Sequence, residues 1–366
     1  MGNLLTYLKW RGDLSFEQSP LCEVDVAILT QIAFLNFKDL VFETVPLSVL
    51  CEKFFEQKRD ELPKGAFSPL DPFGLLKEIK NSKRFANVHV SNVLFEVVKQ
   101  NVMQLGALTF SISPQTRVVV FSGTDDSIVG WKENFRMLSQ SHTAGQKSAV
   151  DYLNHSLDDF DGELIVAGHS KGGNFAIYAS IFANEHIQAK IKNVVTFDPQ
   201  GFSQENFDKA KQSSIANKLF SFVPQDSIIG RLFLHPEKQI ITKSLDVGLF
   251  QHDLFMWVVD KTEFVRQESF SQMSQSITLS LNDIITNMSN KTRSQFINAF
   301  ESWIDATNCE TLVDLTKNWT LMFPAYRKLS QEDKKILAEP LKKILANREF
   351  RSFLWKLIGH KTPQIT

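Results

Sequence analysis

A serine stands between two glycines in the run Gly168-His169-Ser170-Lys171-Gly172, which has the pattern G-x-S-x-G. A serine hydroxyl is a weak nucleophile unless a base and donors for an oxyanion lie beside it. A sharp turn from a strand into a helix presents the hydroxyl to both, and flanking glycines leave room for the crowded backbone of such a turn. The pattern therefore indicates nucleophilic catalysis by Ser170.

The residues on either side of this serine have the composition of a strand and a helix. The β-branched pair Ile165 and Val166 precedes the turn, as expected for a buried strand. An apolar helical pattern follows, made up of Phe175, Ala176, Ile177, Ala179, Ile181, Phe182 and Ala183. Because G-x-S-x-G alone also occurs in turns without chemistry, this strand–turn–helix context is what favours a nucleophile elbow.

A carboxylate and a histidine follow Ser170 in the chain order that such hydrolase sheets use. Asp226 comes shortly after the β-rich run 218–223, and His252 follows the next such run, 239–242. Strand ends on one edge of a parallel sheet converge, so the three side chains can meet in one crevice. We therefore predict that His252 removes the proton from Ser170 and that Asp226 orients the imidazole.

Other residues compete for both roles. Asp198 opens an Asp-Pro turn one strand earlier and could supply the acid, although such turns are common without chemistry; Asp226 is favoured over it. His235 precedes the last strand rather than following it, which makes it a weaker candidate for the base. His169 is the neighbour of the nucleophile, so its side chain should point away from the hydroxyl and lie in the core.

An acyl-transfer site also needs donors for the oxyanion of the tetrahedral intermediate. The backbone N–H of Lys171, directly after the nucleophile, supplies one by its position. The second is expected from the loop after an early strand, where residues 121–125 read Phe-Ser-Gly-Thr-Asp. Thr124 offers both a backbone N–H and a hydroxyl, so we predict an oxyanion hole made by Thr124 and Lys171. Asp125 in the same loop could cap a helix.

The pattern of strands and helices indicates an α/β fold on a doubly wound, mostly parallel sheet. Short β-rich runs cover residues 107–111, 117–121, 163–167, 193–197, 218–223 and 239–242, with helical patterns between most of them. We predict three parts: a helical N-terminal region (1–90) packed on the core, an α/β-hydrolase core (91–260) and a helical C-terminal region (261–366). In the last part, Pro340 is expected to start a further helix.

Composition argues against several kinds of partner and site. With 40 Lys and Arg against 41 Asp and Glu, the formal charge is −1, so no global field attracts nucleic acid. Cys22, Cys51 and Cys309 lie far apart, which argues against a zinc site, and no motif predicts another metal or a cofactor. No apolar run reaches the ~18 residues of a membrane span, and residues 1–13 lack a secretory pattern. We expect a cytoplasmic protein without a stable membrane span.

Several separate segments resemble one family, in the same order along nearly the whole chain. They are residues 3–13, 121–125, 130–133, 168–174, 223–230 and 251–257. Together they are similar to the Mbeg-like family, a bacterial group of α/β-hydrolases that is itself similar to class 3 lipases. The resemblance implies a hydrolase fold with Ser170, Asp226 and His252 as the triad. Thr124 stands where class 3 lipases place an oxyanion donor, whereas Ser122 replaces the arginine of their Phe-Arg-Gly-Thr pattern.

These inferences converge on hydrolysis of a carboxylic ester, of a lipid or a short acyl group, through a serine-bound acyl intermediate. Two alternatives stay open. A thioesterase or peptidase could use the same triad, since all these reactions share the acyl intermediate. The chain could also be an inactive hydrolase fold that serves as a binding or scaffold protein, although such a protein has no need of all three catalytic residue types.

Overall fold

The computed structural model describes residues 2–41, 43–57, 72–157, 160–246 and 248–351. Within them, an eight-stranded sheet forms the centre of the molecule. Its strands are β1 (Val45–Pro46), β2 (His89–Val98), β3 (Met103–Ser113), β4 (Thr116–Phe121), β5 (Glu163–His169), β6 (Ile191–Phe197), β7 (Leu219–Pro224) and β8 (Gln239–Thr242). A separate two-stranded ribbon joins β9 (Val259–Asp260) to β10 (Glu263–Phe264).

The eight strands lie side by side in chain order, from β1 at one edge to β8 at the other. The three pairs from β1 to β4 are antiparallel, and the four pairs from β4 to β8 are parallel. Parallel neighbours need a crossover connection, which accounts for the helices between β4 and β7. The prediction of an α/β-hydrolase fold on a mostly parallel sheet is confirmed, with the parallel pairing confined to residues 116–242.

Strands β1 and β2, at the antiparallel edge of the sheet, are not among the strands predicted from the sequence. Most of β2 is exposed or half-buried, and only Val90 among its ten residues is buried. A shift in its register against β3 lies between Ser91 and Leu94, where Asn92 has a positive φ of 51°. This irregularity, typical of a β-bulge, removes the clean alternation that identifies a strand in a sequence.

Helices cover the sheet and extend beyond it. They are α1 (Leu4–Arg11), α2 (Glu23–Ile32), α3 (Leu47–Gln57), α4 (Pro72–Asn81), α5 (Ile128–Arg136), α6 (Ala144–His155), α7 (Lys171–Phe182), α8 (Glu185–Lys190), α9 (Gln204–Gln212), α10 (Gln272–Thr286), α11 (Asn290–Asp305), α12 (Leu312–Lys317), α13 (Met322–Lys328) and α14 (Gln331–Ala346). In the described part of the chain, none of these helices has the length and apolar character that crossing a bilayer requires.

The two faces of the sheet carry different groups of helices. On β4, Val118 and Val120 belong to one apolar cluster, and Val119 and Phe121 belong to another, because successive side chains point to opposite faces. The first cluster contains residues of α1 to α4, and the second contains residues of α6 and α7. The N-terminal helices therefore supply one covering layer of the sheet, and the crossover helices supply the other.

The C-terminal helices form their own small cluster around Ala299, Leu329 and Leu337. The expectation that Pro340 starts a helix is wrong, because α14 runs through it. The Pro340 side chain is buried, so the ring adds apolar packing on the inner face of α14. That packing offsets the backbone hydrogen bond that a proline inside a helix cannot make.

Candidate active site

Ser170 lies at a sharp turn between β5 and α7. Its backbone has φ 57° and ψ −127°, a conformation that L-residues other than glycine rarely adopt. Its N–H donates to the Phe197 carbonyl on β6 (2.9 Å), and its own carbonyl accepts from the N–H groups of Gly173 (2.9 Å) and Asn174 (3.3 Å). These three bonds hold the strained turn in place between the sheet and the helix.

Gly168 and Gly172 are required by this turn. A Cβ on Gly172 would collide with the carbonyl oxygen of Phe121 on β4, and a Cβ on Gly168 would collide with the Gly172 carbonyl. The start of α7 therefore lies so close to β4 and β5 that no side chain fits at either position. The strand, turn and helix expected from the G-x-S-x-G pattern are all present around Ser170.

His252 is bonded to Asp198. Its Nδ1 lies 2.6 Å from Asp198 Oδ2, and both side chains are almost fully buried. A carboxylate accepts hydrogen bonds, so Nδ1 carries the proton and Nε2 is left with a free lone pair. The imidazole is thus held in the tautomer that a general base needs.

The expected pairing of Asp226 with His252 is wrong in this structure. Asp226 instead contacts the side chain of Gln251: its N–H donates to Gln251 Oε1 (2.9 Å), and its Oδ2 accepts from Gln251 Nε2 (3.2 Å). Gln251 Nε2 also donates to the Asp246 carbonyl, and the Gln251 carbonyl accepts from the Trp257 indole (2.7 Å). Asp226 therefore holds the residue before His252 rather than His252 itself.

The order of the strands explains why Asp198 takes this place. Strand β6 is the direct neighbour of β5, and Asp198 is the first residue after β6, next to the carbonyl that Ser170 contacts. Asp198 has a positive φ of 46°, its N–H donates to the Phe222 carbonyl (2.8 Å), and Oδ1 accepts from Ser227 Oγ (2.5 Å) and the Gly230 N–H (3.1 Å). Asp226 follows β7, one strand further from the elbow.

The other two histidines considered lie outside this pair. His169 is 3% exposed, as expected for a core residue, and its Nε2 donates to the His252 carbonyl (2.8 Å). The two rings lie 4.5 Å apart, and burial, followed by the nearby His252, lowers the pKa of His169 well below 6.5. His235 pairs with Glu237 (3.0 Å) and the Leu232 carbonyl (3.1 Å) instead.

The two expected oxyanion donors follow neighbouring strands: Thr124 lies after β4, and Lys171 begins α7 after β5. Lys171 is the first residue of α7, where backbone N–H groups have no partner within the helix. The Thr124 hydroxyl accepts a hydrogen bond from Asn134 Nδ2 on α5 (2.7 Å), so its own proton remains free to be donated elsewhere. Sequence reasoning missed Asn134, because nothing in its local pattern distinguishes it from an ordinary helix residue.

The Ser170 hydroxyl makes no hydrogen bond to any other residue that the structure describes. Asp198, which binds His252, follows β6, and Ser170 follows β5, the direct neighbour of β6. Bonds between catalytic groups are often long in unliganded enzymes and shorten when substrate binds. The structure thus brings Ser170, His252 and Asp198 to the same sheet edge, without joining the serine to the histidine.

An eight-stranded, mostly parallel sheet with a strained G-x-S-x-G turn between β5 and α7 is the architecture of an α/β-hydrolase fold. A family model matches residues 79–301, and the chain belongs to the Mbeg1-like family. No protein with a curated description matches this sequence.

Several solved lipases are similar to part of this chain at low identity. The Rhizomucor miehei lipase in its propeptide complex is 12% identical over 60% of this chain and 67% of that chain, with a TM-score of 0.38. A lipase from Rhizopus microsporus var. chinensis is 13% identical over 62% and 76%, with a TM-score of 0.38. A structure described as fungal lipases is 9% identical over 71% and 90%, with a TM-score of 0.39.

Proposed function

We propose that this protein is a serine hydrolase that cleaves carboxylic esters with Ser170 as nucleophile, His252 as base and Asp198 as acid. The observation that carries the proposal is the 2.6 Å bond between His252 and Asp198 at the sheet edge where the strained Ser170 turn lies. Three hydrogen-bonding contacts fix the Asp198 carboxylate, and a structural turn has no need of an aligned imidazole beside it. Asp226, the acid expected from the sequence, has no such role in this proposal.

In the proposed reaction, His252 Nε2 takes the proton of the Ser170 hydroxyl as the serine oxygen attacks the ester carbonyl carbon. Asp198 stabilises the imidazolium that forms and keeps its orientation. The carbonyl oxygen becomes an oxyanion, which the Lys171 N–H and Thr124 would stabilise. His252 then returns the proton to the leaving alcohol, and water releases the acid from the acyl-serine in a second, equivalent step.

Asn134 supports the part of the oxyanion site that Thr124 supplies. Because its amide donates to Thr124 Oγ1, the hydroxyl proton of Thr124 points away from Asn134 and can be donated to an oxyanion. A donor oriented before the reaction needs no reorganisation when charge develops, which is the main advantage of an oxyanion hole. The same arrangement would serve an ester, a thioester or an amide, and hydrolysis of each class of substrate distinguishes them.

Labelling with a fluorophosphonate tests this proposal directly. The probe phosphonylates an activated serine, so we expect the wild-type protein to be labelled and Ser170→Ala to lose the label. Ser180→Ala is the matched control, because Ser180 lies on α7 and its buried hydroxyl donates only to the Ala176 carbonyl (2.7 Å). A folded wild-type protein that is not labelled would contradict catalysis and favour a binding or scaffold role.

Hydrolysis of p-nitrophenyl esters of graded chain length extends the test to the substrate. We expect turnover that depends on Ser170 and His252 and varies with acyl length. A folded protein that is labelled but cleaves only thioesters or peptides would contradict the ester assignment. The proposed triad of Ser170, His252 and Asp198 would still stand.

A further inference from the structure

The side chain of Lys171, the residue after the nucleophile, is buried in a polar cluster inside the fold. Its Nζ donates to the Gln104 carbonyl on β3 (2.9 Å) and to Glu133 Oε2 on α5 (3.2 Å). Both charged side chains have no exposed surface. A nucleophile elbow uses only the backbone N–H of this residue, so the reaction itself does not call for a buried lysine here.

Glu133 joins two other elements, β3 and α6, to this lysine. Its Oε2 accepts from the Gln104 N–H (3.0 Å), and its Oε1 accepts from the Gly145 N–H at the start of α6 (2.7 Å). The N–H and the carbonyl of Gln104 are therefore both bound by the Lys171–Glu133 pair. Any movement of α7 relative to β3 or α5 would break one of these bonds.

The side chain of Gln104 continues the cluster to the opposite half of the oxyanion site. Its Nε2 donates to the Gly123 carbonyl (3.4 Å), and its Oε1 accepts from the Asp125 N–H (3.4 Å). These contacts lie on either side of Thr124 in the chain. One connected set of hydrogen bonds thus runs from Lys171, whose N–H is the first expected oxyanion donor, to the loop that carries Thr124, the second.

The energetic cost of this cluster indicates a specific role. Burial lowers the pKa of Lys171, and the Glu133 carboxylate is the main group that opposes this shift. Replacing a buried ion pair with apolar side chains of similar volume is often neutral or stabilising, so stability alone does not explain the pair. Small displacements of catalytic groups, by contrast, reduce rates steeply.

We propose that Lys171, Glu133 and Gln104 are positioning residues that set the distance between the two oxyanion donors, the Lys171 N–H and Thr124. This inference rests on the proposed function, because the donors act only if Ser170 performs acyl transfer. It goes beyond that function by assigning a role to the Lys171 side chain and to two residues that do not touch the substrate.

Steady-state kinetics on a p-nitrophenyl ester test the inference with Lys171→Met and Gln104→Ala. We expect kcat to fall by about 10- to 100-fold in each variant, with KM changed by less than about threefold, since misplaced donors weaken the transition state more than the bound ester. Affinity for a trifluoromethyl ketone, which forms a tetrahedral oxyanion on the serine, should fall in parallel with kcat/KM.

The matched control is a second fully buried ion pair, Arg84–Asp25, which has the same zero exposure of both side chains. Asp25 lies in the first turn of α2, whereas Phe34, which contacts His169, follows the other end of that helix. Arg84→Met should lower the midpoint of thermal unfolding but leave kcat unchanged at temperatures where the protein is folded.

If Lys171→Met fails to fold, the double variant K171M/E133Q removes both charges together and carries the same test with Gln104→Ala. An active wild type whose folded variants keep kcat and inhibitor affinity overturns this inference and leaves the proposed function intact. A wild type that is neither labelled by a fluorophosphonate nor active overturns the proposed function, and this inference with it.

Discussion

At the scale of single residues, the Asp198 carboxylate is held far more tightly than a turn residue requires. It accepts from the Ser227 hydroxyl, the Gly230 N–H and His252 Nδ1, so both oxygens have fixed partners. A carboxylate fixed in this way cannot rotate away from the imidazole, and it holds the tautomer with a free Nε2. The structure therefore assigns Asp198 and Asp226 different partners, although both follow strands of the same sheet.

Asp198→Asn and Asp226→Asn should have very different effects on turnover. We expect Asp198→Asn to lower kcat by about 10³- to 10⁴-fold, because an amide can stabilise the wrong imidazole tautomer. Asp226→Asn should lower kcat by less than about 10-fold, since it acts on His252 only through Gln251. The measurement is kcat on a p-nitrophenyl ester at saturating concentration, with circular dichroism to show that both variants are folded. The reverse ranking would return the acid role to Asp226.

His169 makes the stability of the fold depend on pH. Burial keeps its pKa well below 6.5 in the native state. Below pH 6.5, His169 therefore binds a proton in the unfolded chain but stays neutral in the native protein. The free energy of unfolding should therefore fall as the pH is lowered through 6.5, by up to about 1.4 kcal/mol per pH unit from this group.

Chemical denaturation at about pH 7, 6 and 5 measures this dependence. The variant His169→Gln keeps an N–H donor for the His252 carbonyl but cannot titrate, so its stability should vary less over the same range. Equal slopes for the wild-type protein and the variant would mean that other groups cause the acid sensitivity.

At the scale of elements, two C-terminal helices contact the parts of the fold that hold the site. Helix α10 contacts the turn that carries Ser227, because Ser274 Oγ donates to the Ser227 carbonyl. Helix α11 contacts α5 through a two-bond ion pair between Arg136 and Glu301 (2.7 and 2.8 Å). Helix α5 also carries Asn134, which binds Thr124, so it connects the C-terminal region to the loop after β4.

The turn that carries Gly230 leaves no space for a larger residue. A Cβ at this position would collide with Asp198 Oδ1. We expect Gly230→Ala to displace the Asp198 carboxylate. Because that carboxylate orients the proposed base His252, kcat should fall by about 10- to 100-fold. The measurement is again kcat on a p-nitrophenyl ester with the fold verified by circular dichroism.

Gly162→Ala is the matched control for this element. Its Cβ would collide with the Gln115 carbonyl, just before β5 and therefore at the opposite end of that strand from Ser170. This variant should lose stability and keep kcat. If both variants lower kcat equally, general loosening of the sheet rather than displacement of Asp198 explains the effect.

At the scale of the whole molecule, the apolar clusters differ in size. The N-terminal helices share one large cluster with the sheet, in which Ile28 is fully buried, whereas Leu337 belongs to the small cluster of the C-terminal helices. The N-terminal region is thus a structural layer of the sheet, although residues 2–78 precede the segment matched by the family model. Its removal would expose that face of the sheet to water.

Ile28→Ala and Leu337→Ala should therefore destabilise different parts of the protein. Each leaves a cavity and should cost about 2–5 kcal/mol locally. We expect Ile28→Ala to speed hydrogen exchange in the sheet strands, and Leu337→Ala to speed exchange in α11, α13 and α14 without affecting the strands. Hydrogen exchange measured by mass spectrometry distinguishes the two patterns, and a uniform increase from either variant would show that the clusters unfold together.

The sequence alone determined the features that depend on neighbouring residues. The elbow at Ser170 is readable because its glycines, the β-branched strand before it and the apolar helix after it are contiguous in the chain. The six β-rich runs correspond to β3 to β8, since buried strands carry a strong local signal. His252 was also predicted to be the base from its place after the last of these runs.

Only the tertiary structure decided which carboxylate contacts His252 and which residues contact the Lys171 side chain. Both Asp198 and Asp226 follow strands, and the choice depends on β6 lying directly beside β5, which no local pattern records. The contacts of Lys171 with Glu133 and Gln104 likewise join residues 38 and 67 positions apart. Such contacts arise from the order and packing of strands and helices. They cannot be predicted from a local pattern, because the residues that meet are far apart in the chain.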